Sequence, residues 1–186
     1  ADSIIVNPHK WLFTQIDCSV LYCRRMNVLK QAFSLVPEYL RTGEGEQVKN
    51  YMDYGIALGR RFRALKLWMV ICSLGTEKIK HIIKGHINMA RKLSALIEAH
   101  PDFELMAPVP FSTLVFCFNP HDINKELNQI NEELLKRINA SGKAFLSHTI
   151  LGGKFGIRLA IGNIKTTWQD VKIVWDIVLE KSAELK

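Results

Sequence analysis

A short β-branched run, Ile4-Ile5-Val6, leads directly into the string Asn7-Pro8-His9-Lys10-Trp11. Proline fixes its own backbone and lacks the N–H that a strand ladder needs, so a strand that reaches this point must end in a turn. The turn places Lys10 at the mouth of the strand, where its amine can face a ligand instead of bulk water. A desolvated lysine loses its proton readily and attacks aldehydes, whereas most lysines at strand ends are simply solvated. The residues alone leave both interpretations open.

The flanking pattern predicts strands at residues 4–6 and 17–23. Both have nearly continuous apolar runs, which is typical of a sheet covered on both faces. A short helix is expected after Asn27 and should end at Pro37. Residues 37–55 show little periodicity and predict a long loop, and such loops are usually lids or linkers.

Helical periodicity follows from Leu58 to Gly75, a C-cap signal, and predicts one helix. A second helix is expected from about Thr76, a natural N-cap, to Ala99, because Pro101 blocks its continuation. Its predicted buried face consists of Ile79, Ile83, Ala90, Leu93 and Ile97.

The remainder of the chain alternates strand and helix signals. The expected elements are strands at 103–108 and 113–119, a helix capped by Asp122 and closed by Ser141-Gly142, a hairpin of strands 143–151 and 154–161 around Gly152-Gly153, and a last helix with a capping box of Thr167 and Asp170.

Arg158 stands in the second hairpin strand on a face otherwise made of small residues, Gly156, Ala160 and Gly162. These neighbours leave room for a ligand beside the guanidinium, whose planar fork matches a carboxylate. An interdomain salt bridge is the alternative.

The net charge of +7 does not by itself indicate nucleic-acid binding. Basic residues are densest at residues 60–66 and are otherwise interleaved with acids, without an aromatic-basic recognition motif. The four cysteines lack CxxC spacing, and His81 and His86 are poorly spaced for one helix face, so free thiols and no metal are expected. No window is apolar for the roughly 18 residues of a membrane span, and the first residues lack a signal peptide, so a cytoplasmic location is expected.

The string from Asn7 to Trp11 resembles the cofactor-lysine motif of the pyridoxal-phosphate-dependent group II amino-acid decarboxylases, specifically their aromatic-L-amino-acid decarboxylase branch. Later motifs resemble that family in the same order: Leu35-Val-Pro-Glu-Tyr39-Leu, Leu58-Gly-Arg-Arg-Phe-Arg-Ala-Leu-Lys-Leu-Trp68, and the stretch from Ser141-Gly-Lys through Gly152-Gly153 to Ala160. The resemblance covers essentially all 186 residues and corresponds to the C-terminal part of such an enzyme. It implies an α/β fold of the fold-type I class. Residues 1–100 would end the large cofactor domain, with a catalytic loop at about 37–55, and residues 101–186 would form a small α+β domain.

The resemblance also implies roles in catalysis. Lys10 would bind pyridoxal 5′-phosphate covalently, His9 would contact the cofactor phosphate, and Asn7 would shape the turn and join that contact. Tyr39 would lie on a mobile loop, reach the neighbouring subunit's active site, and donate a proton to the carbon left after CO2 departs. Relatives with phenylalanine there are aldehyde synthases, so the tyrosine favours an amine product. Judged from the residues alone, Tyr39 would more simply anchor its loop.

Gly59, Arg60 and Arg158 are the candidate substrate-binding residues. In related enzymes a glycine at the position of Gly59 tends to accompany indole substrates, and a serine there accompanies phenolic ones. Arg60 would hold the loop or a carboxylate, with a plain surface arginine as the alternative. The family also carries an arginine in the motif of Arg158, near the substrate carboxylate.

The resulting hypothesis is decarboxylation of an aromatic L-amino acid of the tryptophan, tyrosine or DOPA type, to the amine and CO2. The enzyme would be a homodimer with its active site at the subunit interface. The family's stacking histidine and the aspartate that holds the pyridine nitrogen precede the matched region, so an N-terminal half is needed. The alternatives are a catalytically silent dimerisation or scaffold fragment and, within the family, a glutamate or histidine decarboxylase or an aldehyde synthase.

Overall fold

The computed structural model describes residues 1–34, 49–120 and 126–186. Contacts divide the chain into two compact units, Ala1–Gly75 and Thr76–Lys186. The predicted division near residue 100 concerns the domains of a complete enzyme and stays a prediction.

The first unit begins with two antiparallel strands, β1 (Ser3–Val6) and β2 (Val20–Cys23), in which Ser3 pairs with Cys23 and Val6 with Val20. Both predicted strands are confirmed, although β2 starts three residues later than expected. Their predicted coverage on both faces is not found, since Ile5 is 68% exposed and Tyr22 is 61% exposed. A two-stranded sheet offers two apolar faces, and the described helices of this unit leave much of them open.

The described part of the first unit also contains three α-helices and one 3-10 helix. They are α1 (Pro8–Trp11), α2 (Met26–Phe33), a 3-10 helix at Tyr51–Tyr54 and α3 (Arg63–Leu74). The predicted loop at 37–55 and the helix stop at Pro37 fall mostly outside the described residues.

Helix α3 begins five residues after the predicted start at Leu58. The intervening stretch bends, and the Arg60 guanidinium donates a hydrogen bond of 3.0 Å to the carbonyl oxygen of Tyr51. That contact holds the stretch against the 3-10 helix and out of helical geometry. Apolar spacing alone did not reveal it, and the apolar residues Leu58 and Phe62 of this stretch are exposed.

The second unit is built on a four-stranded antiparallel sheet in the order β3-β4-β6-β5. Its elements are α4 (Thr76–Glu98), β3 (Phe103–Leu105), β4 (Thr113–Phe118), α5 (Leu127–Ala140), β5 (Ser147–Leu151), β6 (Lys154–Ala160) and α6 (Trp168–Ala183). All of these elements were predicted. The main differences lie at their ends: β3 and β5 are shorter than expected, and Thr76 is the first helical residue, not the residue before the helix.

One face of this sheet carries the core. Strand alternation directs Leu114, Phe116 and Phe118 of β4 to the face that α4, α5 and α6 cover, where all three are fully buried. The predicted inner face of α4 is buried at Ile79, Ala90, Leu93 and Ile97, whereas Ile83 is only partly covered. Burying one such large apolar side chain contributes about 1.5–3 kcal/mol to folding, so this face supplies most of the unit's stability.

The predicted turn chemistry is found in the second unit. Gly152 and Gly153 have φ values of 57° and 79°, which other residues rarely adopt, and they connect β5 to β6 as a tight hairpin. Thr167 and Asp170 form a reciprocal capping box at the start of α6. Ser141 follows α5 as its C-cap, and the predicted cap at Asp122 lies outside the described residues.

Two further observations concern the cysteines and the lengths of the helices. All four cysteines are free, as predicted. No helix among the described residues is long and apolar enough to cross a bilayer.

Candidate active site

The predicted cofactor lysine lies in a short excursion between β1 and β2. Pro8 is buried and begins α1, a single helical turn, where its missing N–H costs nothing. The amide of Lys10 donates to the Asn7 carbonyl at 2.9 Å, and the amide of Thr14 donates to the Pro8 carbonyl at 3.2 Å. The pairing of Val6 with Val20 closes the base of the excursion.

Three of the predicted site residues therefore lie together on this turn: Asn7, His9 and Lys10. The Ser19 hydroxyl donates to Asn7 Oδ1 at 2.6 Å, which ties the start of the excursion to its end. The His9 Nδ1 lies 3.1 Å from the amide nitrogen of Cys18 and 2.7 Å from its carbonyl oxygen. The main-chain amide of His9 also donates to the Cys18 carbonyl at 3.3 Å.

Lys10 itself is exposed, and its amine has no hydrogen-bond or ion-pair partner within the described parts of the chain. Of the two interpretations that the residues left open, a solvated lysine is the one found within the described parts of the chain. A partnerless primary amine remains available to bond the carbon of an aldehyde.

A second set of contacts holds the segment that leads back from α1 to β2, at Asp17 and Cys18. Arg63, the first residue of α3, donates from Nε at 3.0 Å and from Nη2 at 2.8 Å to Oδ2 of Asp17. The hydrogen bonds from Arg63 lower the pKa of Asp17 to about 2. Cys18, only 2% exposed, directs its thiol toward the Arg63 carbonyl oxygen at 4.0 Å. We call these three residues, Arg63, Asp17 and Cys18, the Arg63 latch.

Sequence analysis did not identify the members of the Arg63 latch as site residues. A signal was present, since Asp17 is a charged residue at the start of the mostly apolar run predicted to be a strand. A charge at such a position needs a partner, but its partner lies 46 residues away along the chain.

Two other predicted residues of the first unit lie on the stretch before α3. Gly59 is exposed, and apart from its two chain neighbours no described residue has an atom within 4 Å of the position that a Cβ would take. Arg60 is exposed and donates to the Tyr51 carbonyl, a contact compatible with the loop-holding role, which stays a prediction. Tyr39, the predicted proton donor, lies outside the described residues.

Arg158 belongs to the second unit and is exposed on β6, where its Nη1 donates to the Ser147 hydroxyl at 3.3 Å. The face around Arg158 is less open than its small residues suggested. Gly156 is buried, and a Cβ added there would lie 2.6 Å from Met106 Sδ and 2.6 Å from Val115 Cγ1. Side chains of the unit itself fill the space beside Gly156, so any ligand of Arg158 would lie away from it.

No group of three or more His, Cys, Asp or Glu side chains in the described ranges is arranged to hold a metal. His86, considered above for its spacing to His81, is instead buried in the second unit with its Nε2 3.1 Å from the Asn163 carbonyl oxygen. Burial lowers the pKa of His86, and the contact with Asn163 partly opposes that shift.

Comparisons with known proteins agree with the motifs of the turn. The family profile of the pyridoxal-dependent decarboxylase conserved domain matches residues 1–119. Phenylacetaldehyde synthase of Arabidopsis thaliana is 42% identical to the whole chain, and tyrosine decarboxylase 1 of Narcissus pseudonarcissus is 36% identical. The chain spans 38% of the length of each of these two relatives.

The solved structure of Oryza sativa TDC with PLP and tryptamine superposes with a TM-score of 0.92 at 33% identity, over all of this chain and 39% of that one. The predicted α/β fold, as part of such an enzyme, is thereby confirmed. Most of the chain, including the Lys10 turn, matches the conserved domain, and the chain therefore belongs to the pyridoxal-dependent decarboxylase family.

Proposed function

We propose that this chain is the C-terminal part of a pyridoxal-phosphate-dependent enzyme that decarboxylates an aromatic L-amino acid to its amine and CO2. One observation carries the proposal: Lys10 presents an exposed amine, without a partner among the described residues, on a turn that also holds His9 and Asn7 in fixed positions. The family match supports the same chemistry.

The donors on this turn suit pyridoxal phosphate. Lys10 supplies a primary amine for the cofactor's aldehyde carbon. His9 is held through Nδ1, and its Nε2 has no partner within the described residues. Asn7 is held through Oδ1, which leaves its amide nitrogen as a donor. An imidazole and an amide beside an amine can together bind a phosphate group and orient the aldehyde next to Lys10.

When bound, pyridoxal phosphate supplies a ring that accepts the electron pair released as the bond between Cα and the carboxylate breaks. Lys10 would hold the cofactor between turnovers and yield its place to the substrate amine. Tyr39 would then return a proton from its phenol to Cα, which gives the amine. The role of Tyr39 rests on the sequence motif alone.

An aromatic substrate is supported by the relatives, whose names refer to phenylacetaldehyde and tyrosine and one of which was solved with tryptamine. The open space at Gly59 is compatible with a large ring such as indole. Arg158 keeps guanidinium donors beyond its contact with Ser147, which suits a substrate carboxylate. Arg60 would act mainly by holding the end of the catalytic loop.

The chain would work as part of a homodimer in the cytoplasm, completed by an N-terminal region. The relatives' greater length supports such a region, because the chain spans 38% of theirs. The missing part would contribute the rest of the cofactor site and part of the substrate pocket.

A second candidate function, oxidative aldehyde synthesis, is favoured by the 42% identity to the Arabidopsis thaliana phenylacetaldehyde synthase. It differs in the fate of the substrate carbon, which dioxygen would oxidise in place of its protonation, with water entering and CO2, ammonia and hydrogen peroxide leaving as the aldehyde forms. Tyr39 distinguishes the two candidates, because a phenol at that position supplies the proton that amine formation needs.

The test is product analysis by mass spectrometry. The chain is prepared alone and joined to the N-terminal part of the Arabidopsis thaliana relative, then supplied with pyridoxal phosphate and L-tryptophan, L-tyrosine, L-DOPA, L-phenylalanine, L-histidine or L-glutamate. Amine from an aromatic substrate, formed only by the joined protein and lost in Lys10→Ala, is the expected result. Tyr39→Phe should shift the product toward aldehyde.

Aldehyde from the unsubstituted joined protein would contradict the role of Tyr39 and favour the second candidate. Amine from L-histidine or L-glutamate alone would contradict the aromatic substrate class. A folded, dimeric joined protein that turns over none of these substrates would support a silent fragment instead.

A further inference from the structure

We infer that Arg63 is a positioning residue for Lys10 and His9, acting through Asp17 and Cys18. The inference rests on the proposed cofactor role of Lys10 and adds three residues to which sequence analysis gave no role. Arg63 would touch neither cofactor nor substrate. Its role is to fix the segment of Asp17 and Cys18, which in turn holds the cofactor-binding turn.

The need for such a residue follows from the length of α1. Four residues form only one helical turn, and a helix this short has no stability of its own in water. The residues between α1 and β2 form no regular structure apart from a turn and a bend. Lys10 therefore keeps its place only if contacts from outside α1 hold the turn.

Cys18 contacts the turn directly at His9. Its peptide groups meet both the ring and the main chain of His9, at 2.7, 3.1 and 3.3 Å, and His9 is the immediate neighbour of Lys10. The orientation of the His9 ring, and hence the direction of its Nε2, is thus set by the position of Cys18.

Arg63 in turn fixes the position of Cys18. Its guanidinium donates two hydrogen bonds to the carboxylate of Asp17, the residue before Cys18, and its carbonyl oxygen accepts from the Cys18 thiol. The Arg63 and Asp17 side chains are 34% and 48% exposed, so each is partly covered by the unit. Because Arg63 begins the twelve-residue helix α3, these contacts tie the segment of Asp17 and Cys18 to a long regular element.

The same helix is preceded by the stretch that carries Gly59 and Arg60. Arg63 therefore connects, within one compact unit, the two segments that sequence analysis assigned separately to cofactor and substrate. An ordinary surface ion pair would have no effect on cofactor affinity, and that difference makes the role testable.

The first measurement is amide hydrogen exchange of the cofactor-free chain. Arg63→Met removes both hydrogen bonds to Asp17 while keeping an unbranched side chain. We expect faster exchange at residues 8–19 and unchanged exchange in α4. Arg61→Met is the matched control, since Arg61 is exposed nearby and makes no side-chain hydrogen bond or ion pair within the described residues. Equal exchange in both variants would overturn the inference.

The second measurement is pyridoxal phosphate titration of the joined protein described above. Arg63→Met should raise the half-saturating concentration at least about tenfold, because small displacements of reacting groups have large effects. Arg61→Met should leave it unchanged. Arg63→Lys keeps the positive charge and one donor nitrogen, so it should bind pyridoxal phosphate more tightly than Arg63→Met does.

Asp17→Asn provides a milder variant in case Arg63→Met fails to fold, and it should weaken cofactor binding in the same direction. Unaltered affinity in every latch variant would overturn the role of Arg63 while leaving the proposed function intact. No saturable binding by the unsubstituted joined protein would instead overturn the proposed function, and this role with it.

Discussion

Asn131 is expected to be among the most sensitive polar residues of the second unit. The ladder between β4 and β6 ends at the pair of Phe116 and Ile157, so Phe118 lies past its end. The amide of Phe118 donates to Asn131 Oδ1 at 2.7 Å, and Asn131 Nδ2 donates to the Phe118 carbonyl at 2.8 Å. Asn131, only 1% exposed, thus takes the place of a missing strand.

The structure gives the size of the effect. Asn131→Leu keeps the side-chain volume nearly unchanged but leaves the N–H and C=O of Phe118 buried without partners. Each unsatisfied buried group costs about 1–3 kcal/mol, and the leucine leaves little room for a water molecule to replace the amide. We expect a total loss of about 2–6 kcal/mol for the two groups, a large part of the stability of an ordinary domain.

Asn128 provides the matched control on the same helix. It bonds to the amide of Phe155 at 2.8 Å and to the Gly153 carbonyl at 3.1 Å, but it is exposed, so water can replace both bonds. Asn128→Leu should cost less than about 1 kcal/mol.

Urea unfolding of the 186-residue chain, followed by circular dichroism, measures both variants. With slopes of about 1–3 kcal/mol per molar urea, Asn131→Leu should lower the midpoint by about 1 M or more. A shift no greater than that of Asn128→Leu would refute the reasoning, because burial would then make no difference to the cost of losing the bonds.

Two further predictions concern the same unit. Gly156→Ala should destabilise it by about 1–3 kcal/mol in thermal unfolding, because the new Cβ would meet the stiff Val115 side chain, and unchanged stability would show that Met106 and Val115 yield easily. Stability should also fall as the pH drops below 6.5, the ordinary pKa of histidine, because burial lowers the pKa of His86 and only the unfolded state then binds its proton. His86→Gln should flatten this part of the pH dependence, and unfolding midpoints that fall equally with pH in both proteins would exclude His86 as the cause.

The features that sequence analysis predicted well are those determined by residues close together in the sequence. Examples are Gly152-Gly153 at the hairpin, the capping box at Thr167 and the apolar face of α4. In each of them the residues that determine the structure follow one another at spacings of one to a few positions along the chain. Local chemistry decides such features, so a sequence displays them directly.

The features that it missed depend on contacts between distant residues. Arg60 delays the start of α3 by bonding to Tyr51, and Arg63 reaches Asp17 from 46 residues away. Asn131 is polar on a helix face that apolar spacing marks as core, and its partners belong to a strand. The fold determines which distant residues form such hydrogen bonds, and the spacing of residues along the chain does not reveal these pairs.

The candidate site divides in the same way. The motif placed Asn7, His9 and Lys10 on one turn, and the structure brings all three together there. The residues alone did not decide whether Lys10 is exposed, because residues elsewhere in the fold determine what covers a side chain.

The central claim, that Lys10 is the covalent cofactor residue, is tested most directly by trapping the bond. The joined protein is incubated with pyridoxal phosphate, reduced with borohydride and mapped by peptide mass spectrometry. The account predicts a phosphopyridoxyl group on Lys10 at near-complete occupancy, with exposed lysines such as Lys154 labelled only in trace amounts. Labelling of Lys10 no stronger than that of Lys154 would contradict the claim.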